Sequence, residues 1–165
     1  MPSYRSIALI TVFSIAFASL PLHAQKSPNA KKFDSIAARA LEAMRQKAEE
    51  LKIGGVAVVN YAPGDAVASW FSRMAVVGRM KDPPTDTSKG NNLIGIAYAK
   101  SAEMADTLVN SGTAKRPPMT GEFGWQGGVV AAAKGGHIIV SFSGGKSEDD
   151  VQVSKAGLAV MEKGL

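Results

Sequence analysis

The stretch from Gly127 to Leu165 constrains the fold more than any other part of the chain. Two short apolar runs, Val129–Ala133 and Ile138–Phe142, flank Gly135–Gly136. Runs of this kind on either side of a Gly-Gly pair predict a β-hairpin, because glycine supplies the positive φ that a tight turn requires. A second pair, Gly144–Gly145, closes the second strand. Ser147 then stands where a helix N-cap belongs, with Glu148, Asp149 and Asp150 in the first turn. Carboxylates there face the positive end of the helix dipole. Ser147 and Asp150 also have capping-box spacing, with Asp in place of the usual Glu or Gln. The helix is expected to run to about Lys163.

The rest of the chain adds two helices and a second hairpin. From Ser27 to Lys52, the residues Phe33, Ile36, Ala37, Ala40, Leu41, Met44, Ala48 and Leu51 recur at three- and four-residue steps, the signature of one apolar helical face. Gly54–Gly55 is read as its stop. Val56–Asn60 is a β-type run, Tyr61–Asp65 a turn, and Ala66–Phe71 the expected hairpin partner. Gly78–Asn92 is rich in Pro, Gly, Asp and Thr and reads as a loop. A second amphipathic helix spans Ile94–Asn110, with Ile94, Ala97, Ala102, Ala105, Leu108 and Val109 on its apolar face and Gly112 as its stop. Lys115–Gln126 is a loop that holds a short strand around Glu122–Trp125. The order α-β-β-α-(β)-β-β-α describes an α+β domain of three helices and about five mostly antiparallel strands.

The N-terminus carries a targeting pattern. Arg5 precedes an apolar run from Ile7 to Leu20, Pro21 breaks it, and Ala24 offers a small-residue cleavage site. A run this short suits a signal peptide better than a spanning helix of about 20 apolar residues. Residues 1–24 are therefore expected to be removed, residues 25–165 to form one exported domain, and the location to be periplasmic or secreted. An uncleaved signal would be its one route to a membrane. Cleavage leaves 18 basic and 14 acidic residues, 18 − 14 = +4. These charges are scattered, without the basic stripe a nucleic-acid surface needs. The chain has no cysteine, which excludes disulfides, thiol nucleophiles and Cys-ligated metal.

Catalytic patterns are scarce. His137 is the one histidine beyond the signal, and no serine sits in a nucleophile-elbow context, so a Ser-His-Asp triad has no support. A single histidine does not make a zinc site. There is no Gly-x-Gly-x-x-Gly or phosphate-loop pattern.

In order and spacing, Gly127–Gly128, Ser143–Gly144–Gly145, Asp149–Asp150 and Ala156–Gly157–Leu158 resemble the signature of the GlcG/HbpS family, the DUF336 haem-binding-like domain related to the C-terminal domain of PduO. Trp70–Met74 resembles the family's aromatic-x-Arg-Met segment, and Ala99–Ala102 its Ala-Lys-Ala segment. Ala75 and Val76 stand where the family carries an acid and Gly, and Val130 where it carries Pro. The resemblance implies a profilin-like fold, a homo-oligomer and a small-molecule ligand, with haem or a related tetrapyrrole favoured. His137 is the leading axial candidate, since haem iron takes His, Met, Tyr or Cys. Met74, Met80, Met119, Tyr61 and Tyr98 stand behind it. Arg73, Arg79, Lys100, Lys115 and Arg116 are candidate partners for the propionates. Two other readings stay open: an oligomeric interaction module without a cofactor, and an enzyme acting on a small metabolite.

Overall fold

The computed structural model describes residues 28–113 and 115–165, so the signal segment lies outside the described residues. Helix α1 spans Pro28–Glu50. Phe33, Ile36, Ala37, Ala40, Met44 and Ala48 are buried on one face. The other face is polar, with Arg45 paired to Glu42 and Glu49. The helix ends in a left-handed residue, Lys52 (φ 56°), and the Ile53 amide bonds back to the Ala48 carbonyl at 2.9 Å. Gly54–Gly55 is therefore not the stop. Gly55 opens the next strand, where a Cβ would lie 2.1 Å from the Ser143 carbonyl oxygen. Close approach of two backbones, not helix termination, explains the glycine there.

Strands β1 (Gly55–Pro63) and β2 (Phe71–Val77) form an antiparallel hairpin with Tyr61 opposite Phe71. The second strand thus starts where it was expected to end, and residues 64–70 form the connection. Two-residue strands β3 (Lys81–Asp82) and β4 (Asn91–Asn92) pair within the expected loop. Helix α2 spans Leu93–Thr107, capped by the Asn92 side chain, which accepts from the Gly95 amide at 3.1 Å. It ends at Leu108, a left-handed cap, so Gly112 is not its stop. Gly112 donates its amide to Glu103 Oε1 at 2.9 Å instead. Residues 122–125 are not a strand. Strands β5 (Gly128–Ala133) and β6 (Gly136–Ser143) form the expected hairpin around Gly135 (φ 77°), and α3 spans Ser147–Gly164.

The main sheet has the order β2-β1-β6-β5, antiparallel throughout. It has four strands, not about five. The α+β architecture of three helices on a mostly antiparallel sheet is as expected. Strand alternation sorts the core into two layers. Ala57, Val59, Tyr61, Ile138, Val140 and Phe142 pack against α1 and α3, while Val56 and Val58 pack against Leu93, Ile96 and Ala97 of α2. No described helix is long and apolar enough to cross a membrane.

The segment between α2 and β5 is fixed by charge. Arg116 donates two parallel bonds to Glu122, at 2.7 and 2.8 Å, and a third to Asp106 at 2.7 Å. Glu122 also accepts from the Met119 amide at 2.9 Å. The guanidinium first, and that amide second, lower the Glu122 carboxyl from 4.5 to about 2. A lowered folded-state value stabilises the clamp above the unfolded value and loses that contribution as pH falls through the folded one. The Met119 amide NMR signal is therefore expected to hold its position from neutral pH to well below 4.5 and to move near pH 2. A midpoint near 4.5 would show that the clamp does not hold in solution.

Candidate functional site

The polar groups that chemistry could use are concentrated where α2 crosses β6. The α2 face that meets the sheet carries Lys100, Ser101, Glu103 and Thr107 as well as apolar residues, all of them buried. Ser141 lies opposite on β6. Its hydroxyl donates to the Ala97 carbonyl at 2.8 Å and lies 2.9 Å from the Ser101 hydroxyl, which in turn accepts from the Asn60 amide at 3.2 Å. Asn60 Oδ1 is the one buried side-chain atom without a partner among the described residues.

One turn of α2 from Ala97, Lys100 is 3% exposed, and Asp150 of α3 is equally buried. Lys100 Nζ donates to Asp150 Oδ2 and to the Phe142 carbonyl, both at 2.8 Å. Asp150 Oδ1 accepts from the Gly145 amide at 2.7 Å. Burial pulls the Lys100 ammonium below its ordinary value and pushes the Asp150 carboxyl above its own, and each partner's charge opposes the shift of the other. Asp150 was expected to serve the helix dipole. It is instead an internal counter-ion, although it also sits in the first turn of α3. The N-cap of α3 is Lys146, not Ser147, and no side chain caps the helix. The pair forms part of the wall of a polar pocket of about 110 Å³ together with Ser143, Ser147 and Trp125. A second hollow of about 330 Å³, bordered by Gly121 and Phe123, shares Asn91 and Ile96 with it.

A larger cleft lies elsewhere. It has a volume of about 590 Å³ and is lined by Ala66–Trp70 from the β1–β2 connection and by Ala102, Ala105 and Asp106 from the outer side of α2. His137, at the start of β6, directs Nε2 to the Asp65 carbonyl at 3.1 Å, and Asp65 directly precedes that wall. A carbonyl can only accept, so this bond places the imidazole proton on Nε2.

Of the candidates singled out from sequence, His137, Lys100, Met74, Arg73 and Met119 do not converge. His137 and Lys100 lie on the same side of the sheet, but Lys100 reaches the carbonyl of Phe142, five residues and about 17 Å along the strand. Met74, opposite Val58, is half-buried against the α2 layer. Arg73 lies on the opposite face, opposite Val59, and pairs with Asp34 of α1 at 2.9 Å. Met119 is exposed in the clamped loop. The sequence reading missed Asp150 as a partner of Lys100 and missed Ser141 and Ser143. Lys100 shares one face with Ala97, Ser101 and Met104 at three- and four-residue steps, and that spacing was the available signal.

No protein-family model matches the chain, and no curated protein matches it. Solved structures do match. The PduO C-terminal domain in complex with haem aligns with a TM-score of 0.53 at 14% identity, over 76% of this chain and 91% of that one. A double mutant of HbpS from Streptomyces reticuli aligns with a TM-score of 0.52 at 18% identity, over 94% of this chain and 99% of that one. The fold is that of HbpS and the PduO C-terminal domain. The HbpS-like fold spans nearly the whole of both comparison chains.

Proposed function

We propose that the protein binds haem and that His137 supplies an axial ligand. The observation that carries the reading is the His137 imidazole with its proton committed to the carbonyl of Asp65, the residue just before the Ala66–Trp70 wall of the 590 Å³ cleft. Such a bond fixes the ring and its tautomer and leaves the other nitrogen, Nδ1, with the free lone pair that metal ligation needs. The shared fold with a domain solved as a haem complex supports the same reading. The cleft volume lies within the roughly 300–1,000 Å³ of cofactor sites. Its walls suit a flat ring, because Ala66, Ala68, Ala102 and Ala105 present little bulk and Trp70 adds an aromatic surface. No cluster of three or more metal-ligating side chains occurs among the described residues, so a lone imidazole suits a metal that arrives with its own macrocycle. Bound haem would supply an iron centre able to take a second ligand or change oxidation state. The chain's part is to bind the ring, orient the imidazole and keep its proton at Nε2.

The test is haem titration of the protein lacking its signal. The His137→Ala variant is expected to shift the Soret maximum or weaken binding by more than tenfold, about 1.4 kcal/mol. Its folding should change by less than about 0.5 kcal/mol, since the ring sits at a strand end beside a turn. Unchanged spectra and affinity would remove His137 from the site. Absence of haem uptake by the unmodified protein would overturn the function.

A further inference from the structure

The pocket above Lys100 and Asp150 is rich in hydrogen-bond donors, and its two carboxylates are already engaged. Asp150 takes the Lys100 ammonium and the Gly145 amide. Asp82, also on the pocket wall, takes Arg79 Nε at 2.8 Å and the Asn91 amide at 3.0 Å. Both carboxylates are thereby neutralised in place. The donors are not exhausted. Lys100 has three N–H groups and two acceptors among the described residues. Ser143 is 4% exposed, lines the pocket, and its hydroxyl has no partner among the described residues. The Ser147 hydroxyl is likewise unpartnered there, because Ser147 does not serve as a cap. The uncapped N-terminus of an 18-residue helix opens at the same place, with its first amides lacking intrahelical acceptors. A bound acceptor would give the Ser143 hydroxyl the hydrogen-bond partner that the described residues do not supply.

We propose that this pocket binds a small monocarboxylate, its oxygens accepting from Lys100, Ser143 and Ser147, with Trp125 beside its apolar end. The class follows from charge and size. The donors ask for an oxyanion. Glu148 and Asp149 at the same helix end disfavour a doubly charged one. A volume of about 110 Å³ admits only a few heavy atoms, far less than the roughly 300 Å³ at which drug-sized sites begin. The adjoining hollow beside Phe123 leaves room for a short tail.

The experiment titrates acetate, propionate and inorganic phosphate, each separately, into haem-free protein and follows the indole N–H NMR signal of Trp125. Propionate should move that signal saturably, acetate more weakly, and phosphate not at all. Ser143→Ala and Ser147→Ala should each weaken propionate binding at least fivefold while the remaining amide spectrum stays native. The pair guards against a folding artefact, since Ser143 is buried in the sheet and Ser147 is half-buried on the helix. No shift with either carboxylate at tens of millimolar, a response to phosphate alone, or unaltered affinity in both variants would overturn the proposal. No haem is present, so this outcome and that of the haem titration are read separately.

Discussion

Asp150→Ala is expected to destabilise the protein by about 3–5 kcal/mol, because it strands the Lys100 ammonium without its counter-ion in the interior. The carboxylate also holds the Gly145 amide at 2.7 Å, so the turn into α3 loses an anchor in the same step. Urea unfolding at neutral pH measures this directly. The informative comparison is Lys100→Met combined with Asp150→Leu. Replacing both charges removes the pair without orphaning either one, so the double variant should be more stable than Asp150→Ala alone. If Asp150→Ala cost less than about 1 kcal/mol, water in the adjoining pocket would be solvating the ammonium, and the pair would not be a keystone of the fold.

Gly127→Ala should be nearly as damaging, at about 3 kcal/mol or more, through a different cause. Gly127 has φ 130°, a conformation in which a side chain is strained by about 1–3 kcal/mol. A Cβ would also sit 2.2 Å from Lys100 Nζ and 2.8 Å from Asp150 Cβ, so the ion pair would have to move. The Gly127 carbonyl meanwhile accepts from Ser154 Oγ at 2.7 Å and from the Phe142 amide at 3.0 Å, which leaves the backbone little freedom to yield. Gly121→Ala separates the two causes. Gly121 has φ 94° and nothing within 4 Å of its would-be Cβ, so it carries backbone strain alone. Equal losses in the two variants would show that the contact with the ion pair contributes nothing.

The C-terminal hairpin and its helix were legible because glycine turns, β-type runs and an acidic first turn all pointed one way. The centre of the molecule was not. On α2 the apolar residues Ala102, Leu108 and Val109 were assigned to the core, yet Ala102 and Leu108 are exposed and Val109 is half-buried. The buried face carries Lys100, Ser101, Glu103 and Thr107. A periodicity count assumes that buried means apolar, and it fails where partners on β6 and α3 satisfy polar groups. Ser147 was misplaced for a related reason. The spacing fits a capping box, but Asp150 is drawn inward by a lysine fifty positions away, a contact no local pattern contains. The Ala66–Phe71 stretch was read as a strand from composition, whereas the sheet takes only Phe71, opposite Tyr61, and leaves Ala66–Trp70 outside it as a cleft wall. His137 was placed correctly beside its turn. Its link to the Asp65 carbonyl depends on two hairpins meeting edge to edge.

That meeting of hairpins governs the order in which the molecule can be made. Each hairpin pairs residues close in sequence, but the seam between β1 and β6 joins Pro63 to Gly136 and Val56 to Ser143. Helix α1, the first described element, packs against α3, the last. Loop closure over such spans slows folding relative to helical bundles. During synthesis at about 5–20 residues per second, the apolar edge of β1 would wait roughly 5–20 s for the last hundred residues to appear. The amino-terminal half is therefore a poor independent unit, and a nascent chain must be shielded from pairing with its neighbours until its final helix has emerged.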